Sequence, residues 1–139
     1  TWGTLLDHRR VALDFYVERV ERVRLALTLG QKGADHDDPL RASVADDLAV
    51  VPLPPERVRR HAAEPYVLKL MCVRERLLAA RRHVENLAAG GDGAPDPWAY
   101  TGAKAFVDDL LLVRDALRRN HAGSLADTGE LAHLVCQAR

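Results

Sequence analysis

From Glu64 to Leu87 the chain reads EPYVLKLMCVRERLLAARRHVENL, with apolar residues at Tyr66, Leu70, Val73, Leu77, Ala80, Val84 and Leu87. Steps alternating between four and three draw one unbroken stripe down a helix of about six turns. Pro65 suits the first helical position, where its missing N–H removes no helical hydrogen bond. Lys69, Arg74, Glu75, Arg76, Arg81, Arg82 and Glu85 occupy the opposite face. The expectation is therefore a long helix laid on a core, with water on its charged side.

The rest of the chain supplies the partners. Thr1 to Leu29 predicts a first helix with a seam at Leu6, Leu13, Tyr16, Val20, Val23 and Leu27, and Glu18 and Arg22 stand in the favourable i,i+4 order. Gly30 and Gly33 stop it, and a polar connection leads to Asp38-Pro39, a cap followed by a proline at the first helical position. Leu40, Val44 and Leu48 form the ridge of a short second helix. The prolines of VVPLPP, residues 50–55, exclude the α conformation at the residues before them, so an extended link with a helical turn at Glu56–Ala62 is expected.

After the long helix, Gly90-Gly91-Asp92-Gly93 acts as a stop, and Pro95 and Pro97 keep the following loop open. A helix capped near Thr101 carries Phe106, Leu110, Val113 and Leu117, with Leu111 and Leu112 broadening the face. It ends near Asn120, where Arg118 and Arg119 suit the dipole. Asp127-Thr128 caps a last helix with Leu131, Leu134, Val135 and Ala138. No stretch alternates as a strand does. The fold class is all-α: a bundle of about four to five helices, a single domain over residues 1–139.

A chain of 139 residues can bury roughly two thirds of its unfolded surface. Twenty Lys plus Arg balance twenty Asp plus Glu, which gives no pull toward nucleic acid or anionic membrane. No apolar run reaches the ~18 residues of a membrane span, and no signal-peptide pattern opens the chain. Cys72 and Cys136 sit beside apolar neighbours and read as two buried, reduced thiols of a cytoplasmic protein.

Chemistry is sparse. His8, His36, His61, His83, His121 and His133 form no i,i+4 pair, and neither HExxH nor CxxC occurs. Cys136 follows His133 by three, but one His and one Cys do not complete a zinc site. The acidic pairs Asp37-Asp38, Asp46-Asp47 and Asp108-Asp109 are adjacent, so on a helix their members diverge by about 100°. The glycines at 90, 91 and 93 follow a helix and act as its cap, since a phosphate loop would join a strand to a helix. Arg81-Arg82 and Arg118-Arg119 read as solvated charges on exposed faces or as contacts to missing parts of a parent, with a phosphate or carboxylate effector as the alternative. No catalytic, cofactor-binding or metal-ligating residue is assigned.

The run EPYVLKLMCVRERLLAARRHVENL resembles the phosphoenolpyruvate carboxylase family, in which an "EPYR…L…vR.kL..tR" helix follows a proline-containing link, as VPLPPERVRRHAAEPY does here. Phe106 to Leu117 resembles that family's "f..pL.l.y.SL" helix. Leu125 to Gln137 resembles its "iADG.L.dllrQv" segment, with Thr128 inserted relative to ADG. The first helix, through Ala12-Leu13-Asp14-Phe15-Tyr16, fits the stretch after the "GGDRDGNP.VT" motif. Val67 departs from the Arg that usually follows EPY.

What the resemblance implies is a helical segment linking two strands of a barrel enzyme, excised from that enzyme, as the start at Thr1 inside a helix also suggests. The parent would add bicarbonate to phosphoenolpyruvate, giving oxaloacetate and phosphate and replenishing the tricarboxylic acid cycle, with Mg²⁺ or Mn²⁺. Its catalytic histidine and GGDRDGNP would precede Thr1, and "LDiRQ", the metal-binding carboxylates and a glycine-rich loop would follow Arg139. The implied partners are the remainder of the parent chain and further subunits, the family forming tetramers. A free-standing helical interaction module and a degenerate relative without catalysis are the rival readings. Excision should also expose apolar surface, and the Leu110–Val113 ridge is the expected place for self-association.

Overall fold

The structure is a computed structural model that describes residues 1–30, 38–119 and 130–138. Six helices lie among the described residues: α1 (Trp2–Gly30), α2 (Asp38–Leu48), α3 (Pro55–Arg60), α4 (Pro65–Ala88), α5 (Ala103–Arg119) and α6 (Glu130–Ala138). None of these residues forms a strand. The all-α expectation holds, and the sixth helix is α3, which the prolines mark as little more than a turn. His36, His121, the turn through Gly123 and the Asp127-Thr128 cap lie outside the described residues.

The helices begin and end for local reasons. Thr1 caps α1, its hydroxyl accepting from the Thr4 amide at 3.3 Å. Proline opens α3 and α4 where no amide is needed. At the end of α4, Gly90 takes φ +88°, the Gly91 amide donates to the Asn86 carbonyl at 2.8 Å, and the Gly90 amide donates to that of Leu87 at 3.1 Å. Those two bonds satisfy carbonyls the helix leaves over, and the left-handed φ is the reason glycine stands there.

α4 is the axis of the packing. α1 and α2 pack against it, and α6 closes the group against α1 and α5. The core joins Val20 and Val23 of α1, Leu40 of α2, Tyr66, Leu70, Val73 and Leu77 of α4, Phe106, Leu110, Val113 and Leu117 of α5, and Leu131 and Leu134 of α6. Tyr16, Phe106 and Tyr100 extend it as a row of rings, with centroids 5.1 and 5.7 Å apart. Each leucine so buried contributes about 1.5–3 kcal/mol of transfer free energy.

Three expectations change. From Pro65 to Val73 every residue of α4 is buried, Lys69 included, so this half of the helix has no water-facing side. Leu110 and Val113 are fully buried, and apolar exposure sits elsewhere, at Trp2, Leu5, Val11 and Leu25 of α1 and at Val50. Cys72 is buried as expected, whereas Cys136 is exposed, because α6 turns Leu134, Val135 and Ala138 inward and leaves positions 136 and 137 outside.

Candidate functional site

Lys69 is the centre of a buried ionic cluster. Its ammonium donates to Asp47 Oδ2 at 2.7 Å, to Asp109 Oδ1 at 2.9 Å and to Ser43 Oγ at 2.7 Å. Three helices meet there: Ser43 and Asp47 come from α2, Lys69 from α4 and Asp109 from α5. One turn-pair further along α4, Arg76 donates to Asp47 Oδ1 at 2.7 Å and to the Trp98 carbonyl at 2.9 Å. Tyr100 donates its phenol proton to Asp109 Oδ2. Two cations thus face two carboxylates, and all three donors of the ammonium are used.

Charge this far from water is tolerable because each cation is paired with a carboxylate, although Arg76 Nε is buried with no hydrogen-bond partner among the described residues. The same surroundings shift the neighbours. Burial, reinforced by the Asp109 charge and by the hydrogen bond to it, holds the Tyr100 phenol well above its ordinary range. Burial, with the Asp47 charge adding, pushes the Cys72 thiol up to about 12. Arg76 loses some basicity to burial, but the hydrogen bond and charge of Asp47 outweigh that and leave its pKa raised. The phenol and the thiol are held protonated, and both carboxylates are engaged by the two cations. The cluster clamps α2, α4, α5 and the 98–100 segment together.

Beside it lies a cleft of about 300 Å³. Leu13, Tyr16, Leu77, Val84 and Phe106 are among its apolar walls, and Arg9, His83 and Tyr100 also line it. Tyr100 therefore belongs to both places: its ring borders the cleft while its hydroxyl is tied to Asp109.

The residues weighed from sequence fall as follows. The acidic pairs split as helix geometry requires: Asp46 is exposed beside buried Asp47, and Asp108 pairs with exposed Lys104 at 2.7 Å while Asp109 turns into the cluster. Arg81 pairs with Asp14 at 2.9 Å and Glu85 at 3.2 Å, and Arg82 with Asp96 at 3.1 Å. His61 meets Glu64 at 3.2 Å, and His133 is exposed. No group of three or more His, Cys, Asp or Glu among the described residues stands close enough to hold a metal ion. Between Asp47 and Asp109, where a cation would sit, the Lys69 ammonium already does. No described helix is long and apolar enough to cross a membrane.

The profile of the family described as phosphoenolpyruvate carboxylase matches residues 1–139. Among curated proteins, the chain is similar to a phosphoenolpyruvate carboxylase of Parasynechococcus marenigrum, with 30% identity over 133 residues, 84% of this chain and 13% of the relative. It is similar to that of Synechococcus sp. strain PCC 6301 at 29% identity, across 99% of this chain and 14% of the relative. The Roseiflexus castenholzii protein of the same name is 29% identical across 94% of this chain and 14% of its own length. No solved structure matches the chain.

Proposed function

The chain belongs to the phosphoenolpyruvate carboxylase family, and on that premise we propose that it is a helical scaffold segment of such a carboxylase, one domain over residues 1–139 that carries none of the reacting groups. The observation that carries this reading is one of proportion: the family matches the whole chain, yet the chain spans only 13–14% of the length of the curated relatives it matches. The parent then joins bicarbonate to phosphoenolpyruvate, yielding oxaloacetate and phosphate. The divalent metal of that reaction belongs to the rest of the enzyme, since the best-placed carboxylates here are already neutralised by Lys69 and Arg76.

Scaffolding fits the energetics. A segment bearing catalytic groups holds ionisable side chains poised at a surface or pocket, whereas the carboxylates gathered around Lys69 are drawn inward and paired with Lys69 and Arg76. The exposed Trp2, Leu5 and Val11 on α1 suit a face that other parts of the carboxylase, or a neighbouring subunit, cover. The purified 139-residue chain, supplied with phosphoenolpyruvate, bicarbonate and Mg²⁺, is expected to form no oxaloacetate above the protein-free blank. A reproducible rate that scales with chain concentration refutes the assignment.

A further inference from the structure

We propose that the cleft between α1, α4 and the segment entering α5 binds a small aromatic carboxylate. Its volume of about 300 Å³ lies at the lower end of small-molecule sites, enough for one ring and a short acidic arm. Tyr16, Phe106 and Tyr100 all line it, and their mutual tilts of 49° and 53° leave ring faces and edges for an edge-to-face or offset contact.

The charge of the guest follows from what the lining holds and lacks. Among the described residues, no Asp or Glu lines the cleft. The carboxylates immediately adjacent in sequence to lining residues are engaged elsewhere, Asp14 and Glu85 with Arg81 and Asp96 with Arg82. The Tyr100 hydroxyl is spent on Asp109. Arg9, by contrast, makes no ion pair or hydrogen bond with a described residue, and His83 Nδ1 is buried with no hydrogen-bond partner among them. A guanidinium at the margin of an apolar cleft favours a carboxylate over a neutral group, because its planar fork can hold both carboxylate oxygens. The unpartnered His83 Nδ1 faces the same space and offers a second polar contact. A neutral guest of the same shape would fill the apolar walls and leave both groups as they are.

Titrating 3-phenylpropionate into the 139-residue chain, followed by calorimetry and by amide shifts of the α1 and α4 residues, tests this. The expected dissociation constant is about 1 mM or lower, and 3-phenylpropanamide, equal in size without the charge, should bind at least about tenfold more weakly. Arg9→Gln should weaken the acid by a similar factor and leave the amide unchanged. Ala12→Trp, at an exposed lining position, should abolish binding of both by filling the cleft. Both variants change exposed residues, so an unchanged far-UV circular dichroism spectrum is expected to accompany them. Equal binding of acid and amide, wild-type affinity in Arg9→Gln, retained binding in Ala12→Trp, or no binding by either compound overturns the proposal.

Discussion

Replacing Lys69 by methionine is expected to lower the unfolding free energy of the chain by about 3–5 kcal/mol, the usual cost of removing one partner from a buried ion pair. Methionine matches the length of lysine and packs as well, so lost volume contributes little. What remains is the uncompensated charge. Asp47 keeps Arg76 at 2.7 Å and Asp109 keeps the Tyr100 hydroxyl, but one negative charge is left without a counterpart in a largely buried site. For a domain of this size, whose total stability is on the order of 5–15 kcal/mol, the loss should appear as a drop in Tm of roughly 10–20 °C. Adding Asp109→Asn to Lys69→Met restores charge balance, and the double variant should recover at least about 1 kcal/mol over the single one. A double variant no more stable than Lys69→Met alone, measured by urea unfolding, would show that lost packing and not unpaired charge sets the cost.

The second large effect concerns the ridge of α5. Leu110→Ala is expected to cost about 2–5 kcal/mol, through lost transfer free energy and the cavity left behind. Leu110 has no exposed surface and packs in the one cluster that joins α1, α2, α4, α5 and α6, so little can collapse into the space. Val11→Ser, at a position 61% exposed, should stay within about 0.5 kcal/mol. The contrast bears on self-association as well. Were Leu110 and Val113 a sticky outer ridge, Leu110→Ala would leave stability nearly unchanged and reduce dimerisation. With the ridge inside, any association should respond to Val11→Ser and Leu5→Ser on α1, and sedimentation velocity of the three variants separates the cases.

Much of the architecture was legible because the apolar spacing of α1, α4 and α5 is regular and because proline and glycine stand at the helix ends. The error at Lys69 has an identifiable source. A stripe drawn through Tyr66, Leu70, Val73 and Leu77 takes in only one residue per turn, yet Lys69 lies three after Tyr66 and four before Val73, on the flank of that stripe. Arg76 lies seven residues on, at the same flank, with Cys72 between them. A cysteine bracketed by two cations on one helical face is a sign of cover that was available in the residues.

The acidic partners carried the same sign. Asp47 continues the ridge of Leu40 and Val44 at a spacing of three, and Asp109 follows Phe106 by three and precedes Val113 by four. Each charge of the cluster therefore occupies a core-facing register of its own helix. That these registers meet at one point could not be read, because it depends on how α2 and α5 are carried across α4 by the connections. The cleft was illegible for a similar reason: Arg9 and His83 are 74 positions apart and acquire meaning only when α1 and α4 lie side by side.

If these helices support a carboxylase without taking part in its chemistry, they should be exchangeable within the family. The direct test is the rate of oxaloacetate formation by the Synechococcus sp. strain PCC 6301 relative in which its matching stretch, 14% of that protein, is replaced by this chain. We predict a folded enzyme whose kcat stays within about tenfold of the parent, since only contacts between scaffold and remainder, each on the order of 1 kcal/mol, have changed. A chimera that folds and assembles but forms no oxaloacetate would contradict the account, because a reacting group would then have been lost with the helices.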